Sequence, residues 1–159
     1  MADAKSEIWF YQLERTSLEE TLPGLLERVL GAGWRAVVRA GSDARLDALD
    51  SRLWTYKDDA FLAHGRAGRE HSEDQPIYLT TGDENPNGAE ALVIVDNADF
   101  TELTNGKTGD YTRTMILFSG ADEGALTAAR EMWKTAKAAD LDIAYWAQNA
   151  SGGGWEKKA

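Results

Sequence analysis

The stretch Leu126–Trp146, LTAAREMWKTAKAADLDIAYW, holds two periodicities back to back. Its first half is rich in Ala and free of Gly and Pro, a composition that loses little on becoming helical. Its second half, Leu141–Tyr145, alternates apolar and polar residues at the period of a strand. At about 100° per residue, Ala125, Ala129, Met132, Ala136 and Ala139 share one stripe of the helix, the expected core face. Arg130, Trp133, Lys134 and Lys137 share a second stripe, centred about 130° from the first.

Outward from this unit the same two periods recur. Thr112–Ser119 reads as the strand before the helix, whose start is signalled by Asp122 or Thr127. Far upstream, Ile8–Leu13 (IWFYQL) is an almost unbroken apolar run, the pattern of a strand buried on both faces. Ser17 and Glu20 form a capping-box pair that opens a helix to about Leu30, which holds Pro23 only if it starts later than Ser17 or its first turn absorbs the proline. Gly31 and Gly33 end it. Arg35–Ala40 is a second strand. Ser42 caps a helix with Leu46, Leu49 and Leu53 inside. Ile77–Thr81 and Ala91–Val95 are further strands, with loops expected over Arg66–Asp74 and Thr81–Ala89. Phe100–Asp110 carries Gly106 and Gly109 and fits either a loop or a broken helix. Alternating strands and helices imply a single α/β domain of Rossmann-like architecture, a mostly parallel sheet flanked by helices, over residues 1–149. The end, 150–159, contains Gly152-Gly153-Gly154 and reads as a flexible tail.

Composition narrows the class. The chain has 159 residues, 43% hydrophobic and 28% charged, which suits one globular domain. It has no apolar run of membrane-spanning length, and its first residues lack a signal peptide's pattern. Cysteine is absent, so no disulfide, thiolate metal site or Cys nucleophile is expected. A cytoplasmic setting fits. Seventeen Lys and Arg stand against 27 Asp and Glu, a formal charge of −10, and such a surface argues against broad direct nucleic-acid binding.

Against that charge, three cations and one indole on a single helix face stand out. They suit an anionic partner with an apolar end: Trp133 as anchor, Arg130 as a forked donor. Spacing alone also fits a solvated face with Trp133 leaning over the core.

No catalytic motif completes itself. Gly106-Lys107-Thr108 resembles the end of a phosphate loop, but Thr101 stands where its first Gly is required. The apolar run into Asp96 resembles a magnesium-binding strand but precedes that loop, the wrong order. Gly31-Ala32-Gly33 closes a helix where a dinucleotide fingerprint opens one. His64 and His71 lack triad or metal spacing; His64 reads as structural and His71 as a loop residue. Neither a cofactor nor a metal site is expected.

Three segments carry a resemblance. Ala129-Arg130-Glu131-Met132-Trp133-Lys134, followed by a turn and a strand, resembles the C-terminal helix of the chi subunit of bacterial DNA polymerase III holoenzyme. Leu53-Trp54-Thr55-Tyr56 with Phe61-Leu62-Ala63-His64-Gly65 is similar to that family's LW…FLPHG signature, with Ala63 where Pro is common. Pro76-Ile77-Tyr78-Leu79-Thr80 with Asn87-Gly88-Ala89 is the third, and the order is kept from about Ile8 to Trp146. The resemblance implies a non-catalytic accessory subunit that links the clamp loader to single-stranded DNA-binding protein. Its last helix would hold that protein's acidic C-terminal tail on Arg130, Trp133, Lys134 and Lys137; Trp133 stands where the family often has Tyr. It also implies a second partner surface at Trp54, Tyr56 and Phe61, for a psi-like subunit or a helicase. The rival reading is a small nucleotide-dependent enzyme on a Rossmann-like fold.

Overall fold

The computed structural model describes residues 7–55, 62–82, 84–95, 111–139, 141–148 and 154–158. Within them β1 (Glu7–Leu13), α1 (Leu18–Gly31), β2 (Ala36–Arg39), α2 (Asp43–Thr55), β3 (His64–Arg66), β4 (Ile77–Thr80), β5 (Ala91–Ile94), β6 (Arg113–Ser119), α3 (Glu123–Ala138), β7 (Asp142–Gln148) and β8 (Trp155–Lys157) follow in order, with a 3₁₀ turn at Ser72–Asp74. The strands form one sheet in the order β3-β4-β2-β5-β6-β1-β7-β8. Every neighbouring pair is parallel except β7–β8.

A parallel sheet of this kind is largely covered on both faces, and its inner strands are mostly apolar for that reason, with Arg39, Thr80 and Thr114 as buried polar exceptions. Ala36–Arg39, Ile77–Thr80 and Ala91–Ile94 are buried at every position. β1 divides its residues: Trp9 and Tyr11 turn to the layer with α1 and α2, while Ile8 and Phe10 turn to the layer with α3. Full burial of side chains such as Ile8 and Phe10, both 0% exposed, contributes about 1.5–3 kcal/mol each. β1 is also the strand most distant in sequence from its partners. Glu7 lies beside Arg113 on one side and Asp142 on the other.

Both expected caps of the first two helices are present. Ser17 Oγ accepts from the Glu20 N–H and Glu20 Oε1 accepts from the Ser17 N–H, both at 3.1 Å. These bonds hold the Glu20 carboxyl below its ordinary pKa, the backbone bond first. Ser42 Oγ accepts from the Arg45 N–H at 3.2 Å. Pro23 lies inside α1, where it lacks the N–H that would bond the Glu19 carbonyl. Arg52 Nε from α2 donates to that carbonyl at 3.0 Å, and Arg45 pairs with the Glu19 carboxylate. The proline gap in one helix thus becomes the tie to the next.

Two motif residues have structural tasks. Asn87 is buried, and its amide nitrogen donates to the carbonyls of Gln75 at 3.0 Å and Ala36 at 3.2 Å, pinning the starts of β4 and β2 together. Gly65 lies where a Cβ would come within 2.7 Å of Ser72 Cα, so β3 can press against the 3₁₀ turn only with glycine there. The strand His64–Arg66 was not expected from the sequence, and its last residue opens the expected loop Arg66–Asp74; three residues are too few to show a period.

Of the stretch 150–159, expected as a flexible tail, the structure describes residues 154–158. Trp155–Lys157 adds β8 antiparallel to β7, with Gln148 opposite Trp155 and Trp146 opposite Lys157. The Trp155 ring meets Tyr11 edge-on at 5.1 Å. Apolar contact at one indole and a short ladder outweigh the cost of ordering the chain after the glycines. Deleting residues 150–159 is therefore expected to lower stability by about 1–3 kcal/mol, from lost aromatic contact and ladder bonds. Thermal melts read it, and an unchanged midpoint would show that β8 adds nothing.

No helix among the described residues is long and apolar enough to cross a membrane. Asp96, Gly106, Lys107 and Thr108 lie outside the described residues.

Candidate functional site

The last helix carries the expected cationic face. Asp122 Oδ1 caps α3 by accepting from the Ala125 N–H at 3.1 Å. Ala125, Ala129 and Ala136 are buried against β6 and β7 and Met132 is half-buried, as the core stripe requires. Ala139 is exposed, because it is the residue after the last turn rather than part of it. Arg130, Lys134 and Lys137 are exposed on the other stripe. Lys134 reaches Glu131 at 3.7 Å, both side chains largely in water, where such a pair holds weakly. Arg130 and Lys137 have no ion partner among the described residues.

Trp133 joins the two stripes. It is half-buried, and its ring stands edge-on to Phe10 at 5.6 Å and to Tyr145 at 5.7 Å. Tyr145 in turn stacks on Phe10 and donates its hydroxyl to Gln12 Oε1 at 2.5 Å. Burial raises the Tyr145 pKa, with the positive charge of Arg130 opposing. The helix face is thus a rigid indole on an aromatic footing, bordered by guanidinium and ammonium groups. It can take carboxylates at the border and an apolar side chain against the ring.

Trp54, at the end of α2, is 55% exposed and lies on the His64 ring at 4.9 Å. Beneath it, His64 Nδ1 is 2.7 Å from the Leu62 carbonyl and Nε2 is 2.9 Å from Asp50 Oδ1, so both nitrogens face acceptors and the ring is fixed. His64 is structural here, as expected, and His71 stands exposed in its loop at φ +60°. Tyr56 and Phe61 lie outside the described residues. Trp54 belongs to the β3 edge and the α2 layer, whereas α3 packs on β6 and β7 on the other face.

Sequence reasoning missed the fold's own ligand crevice. The crossovers leave the adjacent strands β1 and β6 for opposite faces, and in open α/β sheets ligands bind outside such a junction. A cavity of about 250 Å³ lies there, lined by Ser17, Glu19, Arg45 and Asp122 among others. The turn after β1 gathers the N–H groups of Glu14, Arg15 and Thr16, the geometry that cradles a phosphate. All three donate to Gln148 Oε1 of β7, at 2.8, 2.8 and 3.2 Å, while Gln148 Nε2 donates to Thr16 Oγ1 at 2.7 Å. Both helix starts at the crevice are capped by Ser17 and Asp122, Glu19 and Asp122 add negative charge, and Glu19 takes up Arg45. Among the described residues no group of three His, Cys, Asp or Glu could hold a metal ion.

Residues 6–144 match the sequence profile of the DNA polymerase III chi subunit, HolC. A probable DNA polymerase III subunit chi of Rickettsia prowazekii (strain Madrid E) is 30% identical over 83 residues, 52% of this chain and 50% of that protein. The chain spans about half the length of this curated relative.

Proposed function

This chain belongs to the DNA polymerase III chi subunit family, and from that membership we propose that it is a non-catalytic accessory subunit acting in DNA replication in the cytoplasm. Its task is to join the clamp loader to single-stranded DNA-binding protein by holding that protein's acidic C-terminal tail. The observation that carries this reading is the exposed row Arg130, Lys134 and Lys137 beside the braced Trp133 ring, in a chain of formal charge −10. Tail carboxylates meet the row and the terminal apolar side chain lies on the indole.

Titrating an acidic peptide that ends in Phe tests it. Affinity is expected to be roughly micromolar, as a small interface allows, and to fall steeply with added salt. Tight binding of ATP or NAD with no response to the peptide would favour the nucleotide-dependent enzyme instead. What weighs against that enzyme is Gln148, which occupies the three N–H groups a phosphate would need.

Trp54 supports a second surface for a psi-like subunit or a helicase, since a large exposed indole on a fixed ring is a suitable anchor. Trp54→Ala is expected to lose a co-purifying partner in a pull-down from the native cell while tail-peptide affinity stays unchanged. Equal recovery of every partner would remove Trp54 from that surface.

A further inference from the structure

On the α1 face, β1 carries a groove distinct from both surfaces above. A cavity of about 400 Å³ is lined by Trp9, Tyr11, Trp34, Arg28 and Arg113, and a second of about 80 Å³, lined by Trp155, shares Tyr11, Leu25 and Arg28 with it. The two cavities adjoin across these shared residues, between α1 and the β1–β8 side of the sheet, and are taken together as one slot.

Its chemistry is lopsided. The Tyr11 hydroxyl and the indole N–H groups of Trp34 and Trp155 have no acceptor among the described residues. Trp146, whose ring is 5.8 Å from Trp9, also keeps a buried N–H without an acceptor. Burial pushes the Tyr11 pKa up to about 12, with Arg113 and Arg28 opposing, so the hydroxyl stays a donor. The slot therefore offers donors and flat apolar rings and contributes almost no acceptors.

Its charge is nearly neutral. Arg113 sits 3.8 Å over the Trp9 ring and 5.3 Å from the Trp34 ring, and pairs with Glu7 at 3.3 Å. Glu7 and the two rings engage that guanidinium, although its Nε is buried without an acceptor, and Arg28 is the exposed cation at the rim. A polyanion gains little from one free guanidinium on an acidic protein, and Arg113 already covers a face of Trp9 that a base would stack on.

The complement is a segment that is apolar, rich in acceptors and poor in donors. A proline-rich chain in the polyproline II form fits: it has no internal hydrogen bonds, its carbonyls point outward, proline carries no N–H, and its stiffness reduces the entropy lost on binding. We propose that this slot docks a proline-rich polyproline II segment of a partner protein, with prolines between the rings and carbonyls on Tyr11, Trp34 and Trp155.

The test uses the whole chain and a synthetic decaproline peptide, followed through the indole N–H signals in NMR and assigned with single Trp→Phe variants. The Trp34 and Trp155 signals are expected to move and Trp133 and Trp54 to stay, with a dissociation constant on the order of 100 µM and little response to salt. Tyr11→Phe removes only the hydroxyl and is expected to weaken binding about three- to tenfold through one lost hydrogen bond, with the melting temperature nearly kept. Silence of Trp34 and Trp155 at about 1 mM peptide, a range that still detects weak binding, overturns the proposal. So does tighter binding of an oligothymidine that moves the same signals, or a shift of these signals on dilution of the protein alone. Because Trp133 reports the α3 face separately, failure here leaves the tail-binding reading standing, and the reverse also holds.

Discussion

Arg130→Ala is expected to cost about 1.5–3 kcal/mol of binding to an acidic, Phe-terminated peptide, the range for hydrogen bonds to charged groups. Arg130 is exposed and free of ion partners among the described residues, so its guanidinium reaches a ligand without first breaking a pair. Arg130→Lys should recover only part of the loss, because an ammonium cannot make the two-pronged contact. Lys134 must leave Glu131 at 3.7 Å, an exposed pair whose loss costs little. Lys137 stands farther along the helix and should matter less. Trp133→Ala should lower affinity with a weaker salt signature, since its contribution is apolar contact. It also removes the edge contacts to Phe10 and Tyr145, so its stability must be measured beside its affinity. Wild-type affinity in low salt for the Arg130→Ala, Lys134→Ala double variant would rule out this helix face.

The second large effect concerns stability. Gln148→Ala is expected to destabilise the fold by roughly 2–3 kcal/mol, since four hydrogen bonds are lost and water restores part of them. Its amide oxygen collects the N–H groups of Glu14, Arg15 and Thr16, and its nitrogen meets Thr16 Oγ1. One side chain near the end of the chain thereby holds the turn that leads from β1 into α1. Denaturant titration would read the loss as a lower midpoint at an unchanged slope. If the midpoint does not move, water alone satisfies the turn and the bonds add nothing net.

Much of this architecture was legible because the decisive segments each obey one rule. RAVVRA lies in a strand covered on both faces, and continuous apolarity is what such a strand needs. IWFYQL is buried at Ile8 and Phe10 on the α3 side but only half-buried at Trp9 and Tyr11, where the α1 side stays partly open. Ser17 with Glu20 formed the capping box that their spacing announces. The cationic stripe of α3 followed from helical angle alone and is exposed as expected. Trp133 shows the limit of angles: a ring that large reaches from its stripe to Phe10 beneath the helix, so it is half surface and half core. β3 and β8 are three residues each, shorter than any period, and β8 is held by the meeting of Trp155 and Tyr11 across the whole sequence. Gln148 reads as an ordinary polar residue until the fold brings it to the β1–α1 turn. Long-range partners of this kind leave no local signal.

The position of β1 bears on how the molecule comes to be folded. It pairs on both sides with strands that are made about a hundred residues later, β6 and β7. At ~5–20 residues per second of synthesis, that segment waits roughly 5–20 s without its native neighbours. During the wait it is a bare aromatic strand with both hydrogen-bonding edges open, the kind of segment that pairs with other chains. β2 pairs with β4 on one side and β5 on the other, so that half of the sheet can be assembled first. Completion then depends on closing a long loop onto β1, which favours slow folding. Refolding should therefore show β1 amides protected from exchange after those of β2 and β4, and pulse-labelling by hydrogen exchange reads that order. Protection of β1 before β2 would reverse it. A nascent chain of this protein is thus most at risk of aggregation just before its last third is made.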